Sequence, residues 1–185
     1  MEYPESQLAF VEDGLRLPRG SIVAMVGPDE WAMVLKLHAV IEAVINIVLA
    51  EANGDAIEKV AADPIGQTSG KGKARRVCQL KALSDLTAAM LDALTSIRNE
   101  YAHSPHYAVL PIRDVVLQSR YRAKIEAGLP LLPFMAGDDR EYRSRVVIAA
   151  MWVLATLVRA LLKIDPDVDF DAGIAAAIKP DSPER

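Results

Sequence analysis

The chain holds a single cysteine, Cys78, so no disulfide can close within it and a cysteine-based zinc cluster is argued against. Aromatic residues are scarce, at 5% against a hydrophobic total of 51%, so the apolar content is mostly alanine, valine, leucine and isoleucine, which favours helix packing over a β-sandwich. Positive charge is not in excess either. The net charge of -4 gives no global basic field for nucleic acid and confines any such contact to a local patch. Strand-like alternation is missing apart from a weak stretch at Ala108 to Ile112. The start, Met1-Glu2-Tyr3-Pro4-Glu5, is acidic and lacks the basic-then-apolar pattern of a signal peptide. With the lack of disulfides, this predicts a cytoplasmic setting. Trp31 to Ala50 is interrupted by Lys36, His38, Glu42 and Asn46, and Val146 to Leu162 falls short of the ~20 residues of a membrane span and contains Arg159. Both are expected as core helices, with no membrane partner.

What is present reads as helices separated by proline and glycine. Residues 1–27 form an expected N-terminal arm with one helical turn near Glu5 to Glu12, residues 28–180 a helical bundle, and residues 181–185 a polar tail. Pro28-Asp29-Glu30 opens a long helix that stops at Asn53-Gly54. A short helix over Asp55 to Ala62 follows, then the loop Gly66 to Gly72 and a basic helix, Lys73 to Leu83. A longer helix runs from Leu86 to about His103, where Pro105 ends it. Asp114 to Ala127 and Asp138 to Lys163 complete the set, with a further turn expected between Phe170 and Ile178. The fold class is all-α, an antiparallel helical bundle.

The run Ile97-Arg98-Asn99-Glu100-Tyr101-Ala102-His103 carries the chemistry. Wound at ~100° per residue, Met90, Leu94, Ile97 and Tyr101 share an apolar face, and Asp92, Ser96, Asn99 and His103 lie opposite, with Arg98 at the boundary. A histidine there can exchange protons near neutrality. An arginine can hold a phosphate and stabilise its developing charge, and an asparagine can orient an imidazole or bind a ribose hydroxyl. These groups suffice for metal-independent RNA cleavage by an attacking 2′-hydroxyl. Positions five apart point ~140° away from each other on one helix, so a two-fold dimer, or a histidine beyond the helix end, would bring Arg98 and His103 together. The plainer alternative is a surface histidine that complements the helix dipole and an arginine that snorkels.

In the first long helix nearly every position is apolar, which predicts burial all round, yet His38, Glu42 and Asn46 form a polar line at a spacing of four. A buried carboxylate needs a partner, and Arg98 is the expected partner of Glu42, in support of the site. Lys71, Lys73, Arg75 and Arg76 are the densest basic run. It has two readings, a contact for an RNA backbone or a solvated helix start. His106 and Tyr107 follow the motif and are candidates to line the same cleft. Gly66 to Lys71 has the wrong spacing for a phosphate loop, and Asp165 to Asp171 lacks the glycine and glutamate of a calcium loop. No metal and no cofactor are expected.

The motif resembles the R-N-x-x-x-H signature of the HEPN superfamily, with arginine, four residues and histidine. The loop Pro64-Ile65-Gly66 to Lys71 and the long last helix look like its mannitol-operon-repressor (MltR-like) branch. The resemblance spans roughly Trp31 to Lys163. It implies a dimeric helical bundle with the motif at the dimer cleft and an endoribonuclease of toxin or defence type, in which Arg98 and His103 are catalytic and Asn99 supports them. It also implies a cognate antitoxin or regulatory protein as a partner. For the MltR-like branch it implies instead a non-catalytic regulator that binds protein or nucleic acid. Toxins of the superfamily that are silenced by a nucleotidyltransferase carry a tyrosine two residues after the histidine. That position is Pro105 here, and the nearest tyrosine is Tyr107.

Overall fold

The computed structural model describes residues 5–130 and 141–164, and among them every regular element is helical. The elements are α1 (Glu5–Gly14), α2 (Ser21–Met25), α3 (Glu30–Asn53), α4 (Ile57–Ala61), α5 (Lys73–Gln79), α6 (Asp85–His103), a 3-10 turn (Pro105–Val109), α7 (Ile112–Gln118), α8 (Arg122–Gly128) and α9 (Glu141–Leu161). The expected start at Asp138, the aspartate run from Asp165 and the turn from Phe170 lie outside the described residues.

The boundaries follow local chemistry. Asp29 caps α3 by accepting from the Ala32 N–H at 3.0 Å, and the helix ends on Gly54 in the left-handed region, φ 66°. Ser84 caps α6 in the same way, accepting from the Thr87 N–H at 3.2 Å. The two glycine-rich ends of the 66–72 loop are structural. Gly72, at φ 119°, lies where a Cβ would come within 2.6 Å of the Pro64 carbonyl oxygen. That loop closes on its own backbone, which accounts for its glycines without a phosphate.

The bundle is built on α3, α6 and α9. Leu37, Ile41 and Ile45 of α3, Leu91 and Ile97 of α6, and Val153, Leu154 and Leu157 of α9 are all excluded from solvent. Glu30, at the start of α3, accepts from the Ile112 N–H at 2.6 Å, and Tyr101, near the end of α6, donates to the Leu110 carbonyl at 3.0 Å. The end of α6 therefore lies near the start of α3, and the two run antiparallel. By length and composition α3 and α9 could each cross a membrane, and half or more of their most apolar stretches is buried inside the bundle.

Four expectations change. The N-terminal segment is not an arm. It forms α1 and α2, with Val11 and Ile22 buried and the Glu12 carboxylate receiving the N–H groups of Gly20 and Ile22, both at 3.0 Å. Glycines and Pro18 interrupt any longer period there, but α1 packs on α9 and α2 on α3. Nor is α3 buried all round, because Lys36, Ala39 and Ala43 are exposed along one side. The stretch Asp114 to Ala127 is two helices, broken where Ser119 adopts extended backbone. The cause is tertiary, since the Ser119 hydroxyl donates to Glu100 of α6 at 2.6 Å and receives the Tyr121 N–H at 3.0 Å. Ala108 to Ile112 forms no strand and instead passes from the 3-10 turn into α7.

The last residue of α8 sets how closely that helix approaches α6. A Cβ on Gly128 would press on the Ala89 carbonyl oxygen and lie 2.9 Å from the Ala93 Cβ. Gly128→Ala is expected to lower stability by about 2 kcal/mol through overpacking, read as a drop in thermal melting temperature. An unchanged melt would mean that α8 can slide without cost.

Candidate functional site

The polar side of α6 does not face open water along its length. Asp92 is buried and accepts from the Thr68 N–H at 2.8 Å and the Thr68 hydroxyl at 3.0 Å, and it pairs with Lys124 of α8 at 3.1 Å. Ser96, one turn later, is also buried, and it receives the Gln67 amide at 3.4 Å. Lys124 donates to the Gln67 side-chain oxygen Oε1 at 2.6 Å. The buried half of this polar face thus clamps the 66–72 loop and α8 onto α6. Its outer half, Asn99 and His103, opens into a groove of about 500 Å³.

Opposite the motif, the groove is walled by Tyr107 of the 3-10 turn and by Arg120 and Tyr121 of the α7–α8 turn. Glu100, from within the motif, lines the groove and holds that turn through Ser119. Tyr101 faces the core, where its hydroxyl anchors the 3-10 turn at Leu110 and burial pushes its pKa up. Motif residues therefore fix both segments that face His103. The imidazole of His103 is exposed at the last helical position, so the histidine does not lie beyond the helix end.

Arg98 is half-buried and donates to the Asn99 side-chain oxygen at 3.0 Å. It does not pair with Glu42. The carboxylate of Glu42 instead receives the Lys73 ammonium at 2.7 Å, with the lysine side chain wholly buried and the glutamate 29% exposed. Glu42 is thus committed to α5 by an ion pair that sequence spacing could not reveal. Arg98 reaches the same neighbourhood through space, since its charge opposes protonation of His38. It does not line the groove, which Asn99 and His103 do. Asn99 links the two, lining the groove and holding the guanidinium.

Lys73 is therefore corrected from a nucleic-acid contact to a core ion pair. The rest of the basic run is also divided. Arg76 pairs with Asp63 at 2.7 Å and Arg75 donates to the Gly70 carbonyl at 3.4 Å, while Lys71 is exposed. The helical twist sends Lys73, Arg75 and Arg76 to different sides of α5, and Lys71 precedes that helix. His106 is exposed and its ring lies 4.2 Å from that of Tyr107; Tyr107 lines the groove and His106 does not. Among the described residues no cluster of histidine, cysteine and carboxylate side chains could hold a metal. Sequence reading missed Glu100 as the brace, and Arg120 and Tyr121 as the facing wall. Glu100 carried a signal by its place in the motif, whereas nothing local marks Arg120 or Tyr121.

His38 is buried between α3 and α6, its Nε2 lying 3.3 Å from the Thr95 hydroxyl. Its pKa is lowered to about 4, first by burial and then by Arg98 and Lys73, with Glu42 pulling the other way. The folded chain keeps this imidazole neutral where the unfolded chain, near pKa 6.5, would protonate it. Stability is therefore full above about pH 6.5 and falls as the pH drops toward about 4. A loss of about 2–3 kcal/mol across that window is expected, flattened in His38→Gln, as followed by urea unfolding at a series of pH values. A variant as acid-sensitive as the wild type would assign the effect elsewhere.

Asn46, the third residue of the polar line, has a buried side-chain oxygen with no hydrogen-bond partner among the described residues. It joins neither the groove nor the Glu42–Lys73 pair. No protein-family model, no curated protein and no solved structure matches this chain.

Proposed function

We propose that the chain is a HEPN-like helical domain that cleaves RNA at the groove between α6 and the α7–α8 turn. The observation that carries this reading is the linkage of the motif at one opening. His103 and Asn99 share the groove, and Asn99 holds the Arg98 guanidinium at 3.0 Å. The imidazole of His103 takes the proton of a ribose 2′-hydroxyl, whose oxygen attacks the adjacent phosphorus. The P–O5′ bond breaks, a 2′,3′-cyclic phosphate forms, and water protonates the departing 5′-oxygen. Arg120, which lines the groove, supplies positive charge to the pentavalent phosphate, and Arg98, held by Asn99 but outside the groove lining, adds its field from behind that side chain. A homodimer in the cytoplasm, silenced by a cognate partner protein, belongs to the same proposal. Its test is incubation of purified protein with RNA in chelator. Products bearing 2′,3′-cyclic ends support it, and intact RNA sinks it.

A second reading has its own support in the divided basic run. With Lys73 buried and Arg76 paired, the electrostatic footprint for a nucleic-acid backbone is thin. A non-catalytic, MltR-like regulator needs no such footprint and would use the same groove to bind a protein. It predicts intact RNA and a protein partner whose binding depends on groove residues such as Asn99.

A further inference from the structure

The wall facing His103 has a composition that phosphate chemistry does not need. The Arg120 guanidinium carbon lies over the Tyr121 ring, 4.7 Å from its centroid, so the groove presents an aromatic ring and a cation side by side. Tyr121 is 39% exposed, so its ring is accessible from solvent. Tyr107 adds a second ring to the same groove, and its half-buried side chain is backed by His106 at 4.2 Å. Gln118 and the motif's own Glu100 also line the groove, amide and carboxylate groups able to bond the edge of a base. The space, about 500 Å³, is of ligand-pocket size.

The turn that carries the platform is also held in place. Ser119 is buried, donates to Glu100 at 2.6 Å and accepts the Tyr121 N–H at 3.0 Å. An aromatic side chain whose backbone is fixed this way loses little freedom when a flat ring stacks on it.

We infer that Tyr121, Arg120 and Tyr107 form a nucleobase subsite, so that the groove accepts single-stranded RNA with one base stacked on this wall. The inference rests on the RNA reading above and adds the substrate's form. In an A-form duplex the base faces are covered by their neighbours, leaving only edges and backbone to contact, whereas an unpaired base offers its face to an aromatic or guanidinium plane.

The experiment uses the full chain carrying His103→Ala, so that bound RNA stays intact, and reads fluorescence anisotropy of labelled oligonucleotides. A single strand should bind at least about tenfold more tightly than the duplex of the same sequence. Adding Tyr121→Ala should weaken single-strand binding about tenfold and leave duplex binding unchanged, whereas Tyr121→Phe, which keeps the ring, should stay within about twofold. Thermal melts of the three proteins separate loss of the ring from loss of the fold. Equal affinity for both forms of RNA, or equal effects of the alanine and phenylalanine variants, overturns the inference. Tyr121-dependent binding by a chain that never cleaves supports the subsite while removing the ribonuclease reading. Cleavage with a KM indifferent to Tyr121→Ala does the reverse.

Discussion

His103→Ala should slow RNA cleavage by about 10²–10⁴-fold while leaving the fold intact, the range that a positioned general acid–base contributes. The two effects can be separated because of where the residue sits. His103 is exposed at the final position of α6 and lines the groove, and the core contacts of that helix are made by Leu91, Leu94, Ile97 and Tyr101. Its contribution to stability is limited to its interaction with the helix C-terminus, at most about 1 kcal/mol for an exposed charge. A plain surface role predicts that small change in melting and no change in cleavage. Asn99→Ala provides the intermediate case. It removes the oxygen that holds Arg98 at 3.0 Å, so the guanidinium is freed while the imidazole remains. Cleavage should fall less than with His103→Ala, and its pH profile should keep its shape. Parallel assays at several pH values check both results. If His103→Ala cleaves as fast as the wild type, the assignment of His103 is wrong.

The long helices were legible in the sequence because the signals were local. Asp29 and Ser84 cap where the apolar periods begin, and Gly54 ends α3 in the one conformation that favours glycine. The motif's outward residues were legible for the same reason, since helical winding alone places Asn99 and His103 on one side. The groove's other wall was not. Arg120 and Tyr121 face the motif only because Ser119 leaves helical geometry for Glu100, which is 19 positions earlier in the chain. The same winding put Asp92 and Ser96 on a face that looked solvent-bound, and the structure covers it with Gln67, Thr68 and Lys124. Arg145 shows the limit most sharply. It reads as one more charge at the start of a helix, yet it is buried and donates to the carbonyls of Glu126, Leu129 and Pro130, at 2.9–3.3 Å, where α8 ends. A side chain that serves another helix's terminus leaves no periodic trace in its own.

The Glu42–Lys73 pair carries the largest expected effect on stability, and the direction of its asymmetry is the test. Glu42→Ala leaves the Lys73 ammonium, which is wholly buried, without its counter-charge. Breaking a buried pair from that side is expected to cost about 3–4 kcal/mol, because the orphaned ion keeps its desolvation penalty and loses the attraction that offset it. Lys73→Met removes the buried ion itself and fills its space with an apolar chain of similar length. The remaining Glu42 is 29% exposed and can draw water, so about 1–2 kcal/mol is expected there. The neighbours sharpen the difference. Glu42 is the one group acting on His38 that favours its protonation, against Arg98 and Lys73. Without Glu42, the His38 pKa should fall further, and unfolding should become more acid-sensitive between about pH 4 and 6.5. Without Lys73 the opposite shift is expected. The double variant Glu42→Ala with Lys73→Met should be more stable than Glu42→Ala alone, since no buried charge is left to orphan, and urea unfolding of the four proteins closes the cycle. If Lys73→Met costs more than Glu42→Ala, the ammonium is not the expensive member of the pair and α5 is held to α3 by packing.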